Sequence, residues 1–283
     1  MRICVLMLLV GTAVGVQAQW LNNRDSGIPR TKDGKPNLSA PAPRASNGKP
    51  DLSGVWQGEG APISELMKIL PAGVNGLGED PPPLSFFNVL AAYKPEESPL
   101  RPELRAGYEK QAAAALTEPP PVLCGPPVMP MVNSLPAPFK IVQTPKLTLV
   151  LYESDTIFRQ IFTDGRKHPD DPQPSWLGYS VGHWEGDTLV VNSLGFDDRT
   201  WLDQYGDPFT SEMKTEERWR RAGDTLEFTM TVDDPKTYTK PWVSTKIIWR
   251  LVPKAELREE VCAPIDEEFF NEHTRNKAGG VTK

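Results

Sequence analysis

Two rhythms divide the chain near position 139. Beyond it apolar and polar residues alternate, the period-two signature of half-buried strands, over 139–144, 146–153, 156–164, 177–185, 187–195, 213–222, 224–233, 243–252 and 257–262. The clearest run places Leu226, Phe228, Met230 and Val232 on one face and Glu227, Thr229 and Thr231 on the other. Two connections share one wording, Glu185-Gly186-Asp187-Thr188-Leu189 and Ala222-Gly223-Asp224-Thr225-Leu226. Gly-Asp between alternating runs predicts a hairpin, because positive φ at the tip matches the strand twist. No helical period separates these runs, so nothing is expected to serve as a parallel crossover and the sheet reads as antiparallel. With a further strand at Gly54–Gly58, about ten strands on short loops predict a mainly β meander that closes on itself. A two-sheet sandwich is the alternative.

Ahead of position 139 proline sets the pattern. The chain has 30 prolines, and 22 of them precede position 146. Residues 19–49 form a Pro-rich polar leader in which Asp33-Gly34-Lys35-Pro36-Asn37-Leu38-Ser39 is echoed by Asn47-Gly48-Lys49-Pro50-Asp51-Leu52-Ser53. Such a segment has little to bury. A β-barrel-like domain is expected over 50–265, interrupted by a small helical insert over 61–118 with short helices at 64–70 and 85–93 and a stronger one at 102–116. Pro119-Pro120-Pro121 ends that helix and starts an extended strap carrying Cys124. Short helical turns after Arg199 and over 264–274 are peripheral, and 266–283 reads as a C-terminal tail.

Residues 1–18 have the parts of a secretory signal peptide: Arg2, an apolar run over 3–16, and small residues at Val16 and Ala18 before Gln19. Cleavage after Ala18 is expected to deliver the chain to the periplasm or the medium, with no integral membrane segment in the mature protein, since the run is shorter than the ~20 residues that span a bilayer. The whole chain carries 31 basic and 37 acidic residues, a net charge of -6, which argues against a nucleic-acid partner. Cleavage leaves two cysteines, Cys124 and Cys262. In an oxidising compartment this even pair is expected to form a disulfide tying the start of the folded core to its end, worth roughly 5 kcal/mol at most on the chain-entropy model.

Two resemblances follow from particular residues. Gly54-Val55-Trp56 opening the first strand, with Arg250 in a late one, resembles the lipocalin and calycin arrangement. That resemblance implies a calycin-like barrel in which an arginine packs over the tryptophan at the closed end. Lys49-Pro50-Asp51-Leu52-Ser53-Gly54-Val55-Trp56, Ile141-Val142-Gln143-Thr144-Pro145, Trp184-Glu185-Gly186-Asp187-Thr188-Leu189-Val190-Val191, and Asp233-Asp234-Pro235 with Tyr238-Thr239-Lys240-Pro241-Trp242 are similar to the signature blocks of a large, functionally uncharacterised family of secreted bacterial proteins. Asp164-Gly165-Arg166 with His168-Pro169, and Gly195-Phe196 with Thr200-Trp201-Leu202-Asp203, belong to the same set. The resemblance implies secretion and one β-rich domain, and no reaction. Many members carry a His near the positions held here by Phe209 and Thr210, so an imidazole mechanism there is not implied.

Familiar catalytic signatures are missing: no Gly-rich phosphate loop, no G-x-S-x-G elbow, no C-x-x-C pair. Neither a metal nor a cofactor is expected, because His168, His183 and His273 are scattered and Asp170-Asp171-Pro172 lacks the spacing of a calcium loop. Polar residues embedded in apolar strands remain. Glu153 follows Leu147, Leu149 and Leu151 on one face, and Tyr152 follows Val150 on the other. A carboxylate ending an apolar face must find water, a cation or a proton. The bland expectation is a Glu153–Arg159 salt bridge. The functional one makes Tyr152, Glu153, Asp164 and His168 acid–base candidates at a barrel mouth. Arg159, Arg166, His183, Trp184, Glu185 and Trp201 then line a ligand site, with Arg166 on an anionic or phenolic oxygen. The leading expectation is a barrel whose interior binds a small hydrophobic or aromatic molecule. A cofactor-free lyase, isomerase or hydrolase on the same scaffold, and an envelope interaction module using the insert, are the alternatives.

Overall fold

A computed structural model describes residues 31–33, 42–58, 98–115, 128–129, 131–135, 137–202, 206–244 and 246–260. The alternating segments form strands β1 (Gly54–Gly58), β2 (Phe139–Gln143), β3 (Leu147–Tyr152), β4 (Phe158–Phe162), β5 (Tyr179–Glu185), β6 (Thr188–Leu194), β7 (Lys214–Ala222), β8 (Thr225–Asp233), β9 (Trp242–Val243) and β10 (Ile247–Leu251). They hydrogen-bond in sequence order from β1 to β8, and β10 pairs with both β1 and β8, closing a nine-stranded barrel. Strand β9 pairs with β8 only, beyond the stretch that β10 occupies. Both Gly-Asp connections are two-residue hairpins, Glu185 facing Thr188 and Ala222 facing Thr225, with Gly186 at φ 59° and Gly223 at φ 62°.

The expected all-antiparallel sheet is corrected at one seam. β4 and β5 are parallel, paired only through Ile161 with Ser180 and Phe162 with Val181. Their connection, residues 163–178, makes the crossover without a helix by borrowing anchors from the barrel wall. Thr163 donates to Lys146 O, and Ser175 donates to Gly195 O while its own carbonyl accepts from Asp197. Two other expectations change. The run 243–252 is broken after β9, where the Ser244 hydroxyl accepts from Met230 N in place of a ladder bond. No strand forms over residues 255–260, because β10 already occupies the edges of β1 and β8 that a closing strand needs.

The centre of the barrel is filled by rings. Trp56, Trp219, Trp249 and Phe228 are fully buried, with Trp249 4.7 Å from Phe228, 4.8 Å from Phe139 and 5.6 Å from Trp219 between centroids. An arginine does cover Trp56, but it is Arg221, 5.1 Å from the ring centroid. Arg250 faces outward and lies 3.7 Å from Asp224. The reason is register: Arg221 shares the inward face of β7 with Thr215, Glu217 and Trp219, whereas Arg250 falls between the inward Trp249 and Leu251. Arg221 also donates to the carbonyls of Gly223 and Asp51, so the guanidinium is held while it stacks.

Of the expected insert, residues 98–115 are described. Pro102–Leu104 forms one 3-10 turn leading into helix α1 (Arg105–Ala115). Its start is tied to the turn after β8: Arg101 N donates to Thr237 O and Thr239 N to Pro99 O. Asp234 organises that turn, accepting from Thr210 N at 2.6 Å, Thr210 Oγ1 at 3.0 Å and Thr237 Oγ1 at 2.8 Å. The cleavage segment, the helices expected at 64–70 and 85–93, Cys124, Cys262, His273 and the turn at 264–274 lie outside the described residues.

Candidate functional site

The pleat decides which of the candidate residues meet. On β3 the buried positions are Thr148, Val150 and Tyr152, so the Leu147, Leu149, Leu151 face is the outer one. Glu153 continues outward and accepts from Arg258 N at 2.7 Å. The expected Glu153–Arg159 bridge therefore does not form. Arg159 points inward from β4 and is 2% exposed. Its Nη2 and Nη1 donate to Glu217 Oε1 at 2.6 Å and Oε2 at 3.0 Å, a bidentate pair across the barrel. Nε donates to Ser180 Oγ and Nη2 to Ser193 Oγ, each at 2.9 Å.

Small residues make room for this reach. Ser180 faces Ser193 across β5 and β6, their hydroxyls 2.9 Å apart. At Gly182, next along the same face, a Cβ would lie 2.9 Å from Ile161 Cγ2. Glu217 also accepts from Trp219 Nε1 at 3.0 Å and Asn133 Nδ2 at 3.2 Å, and Asn133 Oδ1 accepts from the Tyr152 hydroxyl at 2.9 Å. Burial would push the Arg159 proton off, but the Glu217 charge and hydrogen bonds more than offset it and hold the guanidinium charged. Burial drives the Tyr152 phenol well above its ordinary range. Near neutral pH its proton stays on, and Tyr152 is a structural donor rather than a base. Among the described residues, the Thr215 hydroxyl, across from Ser193, and the Trp249 indole N–H are buried without a hydrogen-bond partner.

The parallel seam leaves an opening in the wall. Only the end of β4 pairs with the start of β5, so Phe158, Arg159 and Gln160 make no ladder pairs with the chain entering β5. A cleft of about 500 Å³ lies between them. Its apolar walls include Ile157, Phe158, Phe162, Trp176 and Tyr179, and Arg159 and Ser180 lie at its floor. Phe158 is 61% exposed, an unusual degree for so large an apolar side chain in a strand. Phe162 and Tyr179 stack at 5.3 Å with 27° between planes. The Arg166 guanidinium lies 3.8 Å above Phe162, and Arg199 lies 5.1 Å from the Trp176 ring. Gly178, at φ 66°, passes so close to Phe196 that a Cβ would lie 2.6 Å from its ring. That approach brings Trp176 and Tyr179 to the cleft.

No family model, curated protein or solved structure matches this chain.

The other predicted residues disperse. Arg166 clasps Asp164, Nη2 to Oδ2 at 2.7 Å, and donates to the Tyr179 hydroxyl at 3.1 Å. This pairing lowers the Asp164 carboxyl to about 2, so it is a rim counter-ion and not a proton store. His168 donates from Nε2 to Asn192 O at 2.9 Å and makes no bond with Asp164. His183 meets Glu185 at 3.3 Å on the outer surface, and Glu185 also pairs with Arg218, whose hydrogen bond holds the carboxyl below its ordinary range. Trp184 is partly buried against the core, and Trp201 is half-buried away from the cleft. The four acid–base candidates therefore share no site. Among the described residues no group of three or more His, Cys, Asp or Glu is placed to hold a metal, and no helix is long and apolar enough to cross a membrane.

Sequence reasoning missed Glu217, Ser180, Ser193 and Asn133. A signal existed for one of them: Thr215, Glu217, Trp219 and Arg221 share a face at period two, and a tryptophan marks which face is buried.

Proposed function

We propose that this chain is a secreted or periplasmic barrel protein that binds a small hydrophobic or aromatic molecule, and that the binding site is the β4–β5 cleft rather than the barrel's centre. The cleft carries the reading: an opening of about 500 Å³, inside the 300–1,000 Å³ range of small-molecule sites, walled by aromatic side chains on a rigid frame. The centre offers less, because Trp56, Trp219, Trp249 and Phe228 occupy it. Proton-transfer catalysis has weaker support. Tyr152 is sealed in, Asp164 is clasped by Arg166, and His168 is spent on a backbone carbonyl. Cleavage after Ala18 and a Cys124–Cys262 bridge belong to the same proposal.

The test uses N-phenyl-1-naphthylamine, whose fluorescence rises on entering an apolar site. The reading expects a saturable rise that Trp176→Ala and Phe158→Asp each weaken about tenfold, since each removes a large part of one aromatic wall. An unchanged titration in both variants would place the dye elsewhere and refute the cleft.

A further inference from the structure

From the charges around the cleft we infer its ligand class: an uncharged, planar aromatic molecule carrying a neutral hydrogen-bonding substituent, selected against carboxylates of the same shape. This rests on the cleft being the binding site. Arg159, Arg166 and Arg199 stand beside it, which on charge alone suggests an anion. The geometry cancels each of them. Arg159 at the floor gives Nη1 and Nη2 to both oxygens of Glu217, while Nε donates to Ser180 Oγ and Nη2 also to Ser193 Oγ. At the rim Arg166 is clasped by Asp164, Nη2 to Oδ2 at 2.7 Å, and Arg199 by Asp197, Nη2 to Oδ2 at 2.6 Å.

An entering carboxylate meets arginines already paired. It would surrender its water for aromatic walls without gaining a free cation, and an ionised group pays heavily for that exchange. An uncharged ring loses little water and gains the faces of Phe158 and Trp176. The polar handle is Gln160. Its side chain is exposed, lines the cleft, and has no hydrogen-bond partner among the described residues. A carboxamide offers both a donor and an acceptor, which suits a phenol or an amide on the ligand.

Calorimetric titration of the full chain with 2-naphthol and 2-naphthoate at neutral pH separates the possibilities, because the two share a ring system and differ in charge. 2-Naphthol should bind at least about tenfold more tightly. Equal or tighter binding of 2-naphthoate overturns the charge class while leaving the cleft reading intact. Heat from neither compound, together with a flat N-phenyl-1-naphthylamine titration, overturns both. Gln160→Leu, at an exposed position that does not threaten folding, should weaken 2-naphthol and spare naphthalene. Equal loss for both overturns the handle.

Discussion

Glu217→Gln tests whether the buried ion pair is the keystone of the barrel's polar half. The substitution keeps the shape of the side chain and removes its charge. Arg159, 2% exposed, would then stay ionised in the interior, since a guanidinium cannot shed its proton at any accessible pH. Leaving one buried charge uncompensated costs about 3–5 kcal/mol. The converse, Arg159→Met, should cost less. Glu217 would keep the Trp219 and Asn133 donors at 3.0 and 3.2 Å, and a carboxylate can take up a proton. The double variant Arg159→Met/Glu217→Leu removes both charges and should fall within ~2 kcal/mol of the parent. Urea unfolding followed by tryptophan fluorescence measures all three against the parent. A loss below about 1 kcal/mol for Glu217→Gln, or strict additivity in the double variant, would refute the reasoning.

Three further outcomes are expected. Gly178→Ala places a Cβ 2.6 Å from the Phe196 ring at φ 66° and should destabilise by ~2 kcal/mol; an unchanged thermal midpoint contradicts the close-approach account. Arg221→Ala strips the cover from Trp56 and two backbone bonds and should cost ~2 kcal/mol in urea unfolding, whereas Arg250→Ala, at an exposed outward position, should cost about 1 kcal/mol or less. Asp164 should titrate near 2 because of Arg166. Its folded value lies below its ordinary one, so the stabilisation from this pair is complete above about 4 and disappears as pH falls through about 2. Carboxyl NMR on Arg166→Ala should show the Asp164 midpoint rising, and a stationary midpoint contradicts the clasp.

Strand-scale features were readable in the chain because period-two alternation and Gly-Asp tips are local. The runs at 225–233 and 188–194 follow from their own side chains. What escaped reading depended on partners distant in sequence. β3 carries apolar residues on both faces, so alternation alone does not say whether Leu147, Leu149 and Leu151 or Val150 and Tyr152 face the core, and the barrel buries Thr148, Val150 and Tyr152. Arg159 was expected to meet a near neighbour, yet its carboxylate comes from β7, where Lys214–Ala222 is too rich in charge for an apolar face to stand out. The parallel seam was hidden because its crossover, residues 163–178, is held by bonds to Lys146 ahead of β3 and to the chain just after β6 rather than by a helix. The cleft is a product of that seam, so no linear motif announces it.

The most direct test of the wall cleft follows the indole N–H signals of the tryptophans by ¹⁵N NMR while 2-naphthol is added. The Trp176 signal, assigned through Trp176→Phe, should move saturably while the buried indoles of Trp56, Trp219 and Trp249 stay fixed. Movement of Trp219 or Trp249 with Trp176 unmoved would put the ligand in the barrel's centre and contradict the account.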